Sequence, residues 1–96
     1  MPIEHHIQTF AIAYDLSDDH ERYRVDKVLQ GWGHRVQKSV FMVRTNQRGA
    51  NRLKDELERL ELQTGSVLFF RMQNHVKVWS TGQPFDDPDD VAAYVV

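Results

Sequence analysis

The stretch Thr9-Phe10-Ala11-Ile12-Ala13-Tyr14-Asp15 limits the fold more than any other part of the chain. A side-chain period of two from Ile7 to Tyr14 puts Phe10, Ile12 and Tyr14 on one face of a strand and Thr9, Ala11 and Ala13 on the other. Neither face carries a charge, so such a strand has to be covered on both sides. Helices cover one side of its sheet. In a chain of 96 residues the second cover has to come from elsewhere, and another copy of the chain is one source. The length allows a single core, because a smaller one would not offset the entropy of ordering the backbone.

The segments that follow supply the helices. Asp18 with Glu21 three residues later fits a capping box at a helix start, with Ser17 as an alternative cap. Val25, Val28, Leu29 and Trp32 then recur at helical spacing until Gly31 and Gly33 stop the run, which predicts a first helix over Asp19 to Gln30. His34 to Arg44 alternates and is rich in β-branched and aromatic residues, but it is long for one straight strand. A bend or break near Lys38-Ser39 is expected there. A second helix is predicted from about Arg48 to Glu61, with Ala50, Leu53, Leu57 and Leu60 on its apolar stripe. After the turn Gln63-Thr64-Gly65, Ser66 to Met72 reads as a buried strand and Val76 to Trp79 as a short one.

The order β-α-β-β-α-β predicts an α+β, ferredoxin-like fold: an antiparallel sheet with both helices on one face. Its other face is left open while carrying apolar side chains, which predicts a partner surface and, most economically, a homodimer. Residues 1–79 form the ferredoxin-like domain in this reading, and 80–96 an acidic loop followed by a C-terminal docking strand, Val91-Ala92-Ala93-Tyr94-Val95-Val96.

Composition narrows the chemistry. With no cysteine, disulfides, thiol nucleophiles and cysteine zinc sites are excluded. The net charge of −2 conceals an asymmetry, because Asp86, Asp87, Asp89 and Asp90 hold four acids and the remainder is slightly basic. A nucleic-acid surface is therefore permitted. No apolar run reaches membrane-spanning length, and the N-terminus lacks a signal-peptide pattern, so a cytoplasmic protein is expected.

Asp15 stands at the C-terminal end of the first strand. It reads either as a turn or capping carboxylate or as an oxygen ligand for a hard cation such as Mg²⁺, which often uses only one or two carboxylates. A two-fold axis through the open sheet would bring two copies of Asp15 together and complete such a site. Arg22, Arg24, Lys27, Arg35 and Lys38 form a basic set suited to phosphate, or else a solvated helical surface. Tyr14, Phe41, Phe69 and Phe70 can stack on bases, although core packing is the simpler account because the sheet must be buried. The histidines, His5, His6, His20, His34 and His75, show no ligand spacing, and the run from Asp86 to Asp90 lacks the pattern of a calcium loop.

Taken together, Ala13-Tyr14-Asp15-Leu16-Ser17-Asp18-Asp19, the following Arg22 and Arg24, and Gly33-His34-Arg35-Val36-Gln37-Lys38-Ser39-Val40-Phe41 resemble the small CRISPR-associated protein of the spacer-acquisition module, the Cas-two family, which works beside the larger CRISPR integrase. The resemblance extends more loosely through the second helix to Met72. It implies a homodimer packed sheet to sheet, with Asp15 of both subunits bracketing Mg²⁺, and a metal-dependent endonuclease acting on RNA or double-stranded DNA. It equally implies a non-catalytic scaffold that bridges integrase dimers and DNA. A stand-alone toxin-like ribonuclease of the same fold is a third reading. Carried over by motif, Asp15 and Tyr14 are the catalytic candidates and Asp15 the metal ligand. Arg22, Arg24, Arg35 and Lys38 are the nucleic-acid candidates, and Ser39 and Phe41 shape the interface near the site. Where the family often has an acid after the Val-Phe pair, this chain has Met42.

Overall fold

The structure is a computed structural model that describes residues 6–73, 77 and 79–82. Six elements follow in order: β1 (Gln8–Leu16), α1 (Asp19–Gln30), β2 (Gly33–Gln37), β3 (Val40–Thr45), α2 (Gln47–Glu58) and β4 (Gly65–Met72). The strands form one sheet in the order β2-β3-β1-β4 with every pairing antiparallel, the ferredoxin-like arrangement that the sequence predicts. β1 is central and pairs on both sides, Ala13 with Val40 of β3 and with Leu68 of β4. The break expected at Lys38-Ser39 is a turn that joins β2 to β3, and the two strands shift register between Arg35 and Gln37.

The core lies between the sheet and the helices. Phe10, Ile12, Tyr14 and Leu16 alternate along β1 and are buried against Val25 and Leu29 of α1, Phe41 and Val43 of β3, and Ala50, Leu53 and Leu57 of α2. Phe69 packs edge-on against Phe10 with ring centroids 6.4 Å apart. Each large side chain sequestered here contributes about 1.5–3 kcal/mol relative to an exposed one, which is what holds two short helices in place.

The opposite face is open, as expected. Leu68 and Phe70 project from it, 52% and 50% exposed, beside half-buried Ala11 and Ala13. Phe70 is therefore not a core residue, unlike Tyr14 and Phe41. Residues 69 and 70 point to opposite faces of a strand, and only the helix-facing one has a layer to pack against.

Local differences from the expected pattern have local causes. Asp18 caps α1 by accepting from the Glu21 N–H at 2.9 Å, but the Glu21 carboxylate does not return to Asp18 as a capping box requires. α2 ends at Glu58 rather than Glu61. Its last turn tightens into bonds from Leu60 N–H to Leu57 O and from Glu61 N–H to Glu58 O, each 3.1 Å, and Glu61 then takes a left-handed φ of 52° that reverses the chain. Gly31 ends α1 without left-handed geometry, at φ −79° and ψ −8°. Of the short strand expected over 76–79, only residues 77 and 79 are described and neither is assigned to a strand, and the acidic run and docking strand at 83–96 lie wholly outside the described residues.

Candidate functional site

The site is built where β1 ends. Asp15 is exposed, and the alternation that buries Tyr14 and Leu16 against the helices turns the Asp15 side chain to the open face. On that face it lies across from Ser66 of β4, with Ala13, Leu68 and Phe70 further along the same surface. Its backbone is gripped closely. Gly65 passes so near that a Cβ there would fall 1.7 Å from the Asp15 carbonyl oxygen. Only glycine permits this spacing, so the β4 side of Asp15 depends on Gly65.

Tyr14 occupies the other face. Its hydroxyl donates to an Asp26 carboxylate oxygen on α1, and its ring lies 6.5 Å from that of Phe41. Burial pushes the phenol up to about 12, reinforced by the hydrogen bond to Asp26 and by that residue's negative charge, and opposed by Arg35 and Arg22. The tyrosine thus stays protonated at any ordinary pH. Asp15 and the Tyr14 hydroxyl do not share a surface; the strand separates them.

The basic candidates divide by position. Arg22 lies at the Asp15 end, donating to the Leu16 carbonyl and pairing with Asp19 one helical turn back. Arg24 points elsewhere and donates to the Leu60 carbonyl at 3.1 Å, tying α1 to the end of α2. Arg35 is committed at both terminal nitrogens, one to Asp26 at 2.7 Å and one to the Lys38 carbonyl at 3.2 Å, while its guanidinium lies 5.3 Å from the Phe41 ring centre. Lys38 is exposed at the turn, and the Ser39 carbonyl accepts from the Tyr14 N–H at 3.0 Å. Arg22 and the 38–39 turn thus lie at the same end of β1 as Asp15, whereas Arg24 stands apart.

Two contributors escaped the sequence reading. Glu21 is buried, and its carboxylate accepts from Gln63 N–H at 2.8 Å, Thr64 N–H at 3.0 Å and Thr64 Oγ1 at 2.5 Å. The Thr64 hydroxyl in turn accepts from Asp18 N–H at 3.2 Å. These bonds, led by the Thr64 hydroxyl, hold the Glu21 carboxyl below its ordinary value and lock the loop before β4 to the start of α1. The second is Asp26, which joins Tyr14 to Arg35. Both partnerships span long separations that no local pattern encodes.

The donor set for a cation is sparse within one chain. Among the described residues no group of three or more His, Asp or Glu side chains converges. Asp15 nonetheless offers a hard, exposed carboxylate of the type Mg²⁺ prefers, on the open face of the sheet. Also among the described residues, no helix is long and apolar enough to cross a membrane.

Comparison with known proteins matches residues 8–78 to the family described as CRISPR associated protein Cas2. The chain belongs to that family. A relative from Thermus thermophilus, named CRISPR-associated endoribonuclease Cas2, is 37% identical over 87 residues, covering 83% of this chain and 93% of the relative. One from Synechocystis, CRISPR-associated endoribonuclease Cas2 3, is 32% identical over 80 residues, covering 78% and 85%. Among solved structures, a hypothetical protein TT1823 from Thermus thermophilus superposes with a TM-score of 0.73 at 28% identity, over 84% of this chain and all of that one. A second crystal structure, described as cas2, has a TM-score of 0.67 at 22% identity over 90% and 95%, a likeness of fold alone. The family expected from the motifs around Asp15 and Phe41 is thus the family found.

Proposed function

We propose that this chain is a metal-dependent endonuclease of a CRISPR system that works as a homodimer and cleaves phosphodiester bonds, with RNA as its first substrate and double-stranded DNA as its second. The observation that carries this reading is the exposed Asp15 carboxylate at the end of β1, on an apolar sheet face suited to a second copy. The endoribonuclease names of relatives 37% and 32% identical support the activity.

In this reading Asp15 from each of two copies would hold Mg²⁺. When bound, the metal supplies an activated water and neutralises charge on the scissile phosphate. Arg22, at the same end of β1, attracts and orients the phosphate once it exchanges Asp19 for the ligand. Lys38 adds positive charge from the exposed turn and steers the approach of the polyanion. Tyr14 works from beneath, anchoring the residue next to Asp15, and Phe41 supports its ring.

Purified wild type should cleave RNA with Mg²⁺ and stop with EDTA, while Asp15→Asn should be inactive yet dimeric. Equal cleavage by the variant would refute the catalytic assignment. The scaffold reading, in which the protein bridges integrase and DNA for spacer acquisition, draws on the same open sheet and basic turn. It predicts that Asp15→Asn still supports acquisition and that truncation after Trp79 abolishes co-purification with the integrase. Retained co-purification would remove the C-terminal segment from that role.

A further inference from the structure

Four hydrogen bonds around Asp26 form a closed ring. The Tyr14 hydroxyl donates to one Asp26 oxygen, and Arg35 donates to the other at 2.7 Å. The second terminal nitrogen of Arg35 donates to the Lys38 carbonyl at 3.2 Å. The next residue along, Ser39, accepts from the Tyr14 N–H at 3.0 Å, which returns the path to its start. Tyr14 is thus held twice, at its backbone by the turn and at its hydroxyl by the helix.

The ring has a consequence for Asp15, the next residue in the chain. On the β4 side its backbone is held by the close passage of Gly65. On the β3 side no ladder pair involves Asp15 itself, since the register of β1 with β3 ends at Ala13 and Val40, and the Tyr14–Ser39 bond is the last one before it. Arg35 bonds that turn at the Lys38 carbonyl, and Asp26 supplies the only charge in the ring opposite to the guanidinium. The Arg35 and Asp26 side chains are 41% and 22% exposed, so Asp26 is the more sheltered partner of the pair. The buried Phe41 ring beneath the guanidinium removes further freedom.

We propose that Asp26 is a positioning residue that, through Arg35 and the Lys38–Ser39 turn, sets where the Asp15 carboxylate is presented on the open face. This rests on Asp15 being the functional carboxylate. It also gives Arg35 a structural duty, because its guanidinium bonds both the Asp26 carboxylate and the Lys38 carbonyl.

The test uses full-length protein labelled with ¹⁵N and ¹³C. Asp26→Asn keeps the shape and an acceptor for Tyr14 but removes the charge that holds Arg35. Arg35→Lys keeps the charge but cannot bridge two acceptors in a fork. The two variants open the ring at different bonds, so both should displace the same set of resonances: the amides of Tyr14, Asp15, Lys38 and Ser39 and the Asp15 carboxyl carbon. Lys27→Ala, on the same helix and outside the ring, should leave that set in place. Unmoved Asp15 resonances in both ring variants would overturn the proposal. In RNA cleavage with Mg²⁺, Asp26→Asn should lower kcat about tenfold with KM changed less than about twofold, the split expected when a reacting group is displaced without loss of binding. A rise in KM at unchanged kcat would overturn it and make Arg35 a phosphate contact. Should Asp15→Asn cleave as fast as wild type, the catalytic reading falls, and the resonances alone decide the brace: displaced, they uphold it, and unmoved, they overturn it.

Discussion

Replacing Gly65 by alanine tests whether the close grip on Asp15 is a requirement of the fold. The new methyl group would lie 1.7 Å from the Asp15 carbonyl oxygen, 2.8 Å from its carbonyl carbon and 3.2 Å from the Leu16 Cα. All three are backbone atoms of the central strand, so no side chain can swing away to make room. Restoring ordinary contact needs β4 to retreat from β1 by about 2 Å, given that carbon contacts are optimal at about 3.5–4 Å. That retreat breaks the pairing of Leu16 with Gly65 and strains the bond from Ser17 N–H to Thr64 O, already 3.5 Å long. At about 0.5–1.5 kcal/mol for each bond lost, two or three losses cost about 1–4 kcal/mol, the same scale as overpacking a core. Set against the about 5–15 kcal/mol that stabilises a domain, the sum lowers Tm by about 4–30 °C. Urea and thermal unfolding followed by circular dichroism at one protein concentration would read it, with concentration fixed because self-association makes apparent stability concentration-dependent. Gly31→Ala is the control. Its Cβ would meet only the Val28 carbonyl oxygen at 3.5 Å, and its backbone is already right-handed, so it should stabilise by about 0.4–1 kcal/mol. A Gly65→Ala protein within about 0.5 kcal/mol of wild type would refute the reasoning.

Other expectations follow from the same contacts. The Glu21 carboxyl is held below its ordinary value, so its stabilising effect is complete above that ordinary value, about 4.3, and is lost as pH falls through the lowered one. Urea midpoints measured from about pH 6 down to about pH 3 should fall more steeply for wild type than for Glu21→Gln. Parallel slopes would remove Glu21 as the acid-sensitive latch. The Tyr14 phenol, raised to about 12, has the opposite sign. Its contribution is full below the unfolded value of about 10 and is lost as pH rises towards 12, so Tyr14→Phe should flatten the alkaline loss of stability; a curve unchanged in shape would contradict this. On the open face, Phe70→Glu should shift the protein toward monomer in light scattering while leaving the circular dichroism spectrum intact. Half of the Phe70 surface is already covered, so lost burial accounts for about 1 kcal/mol per copy and the desolvation of the new charge adds to it. A variant as dimeric as wild type would exclude this face as the interface.

What the sequence determined by itself was everything governed by a short period. Alternation at Phe10, Ile12 and Tyr14 marked the central strand and its helix-facing side, and Asp18 with the spacing of Val25 and Leu29 placed α1 at the residues observed. The break at Lys38-Ser39 and the element order then led to the ferredoxin-like sheet, and the motifs around Asp15 and Phe41 led to the family. A strand or helix repeats at a fixed interval along the chain, so its faces can be read without knowing what packs on them. What only the tertiary structure decided was the choice of partner across the fold. Glu21 looked like half of a capping box until the fold brought Thr64, 43 positions away, to donate to it. Nothing near Arg35 in the chain marked Asp26 as its partner, which the fold supplies, and Phe70 looked like core until only its neighbour met a helix layer. In each case a polar or aromatic side chain had several partners of similar worth, and the docking of helices onto the sheet decided which one lay within reach.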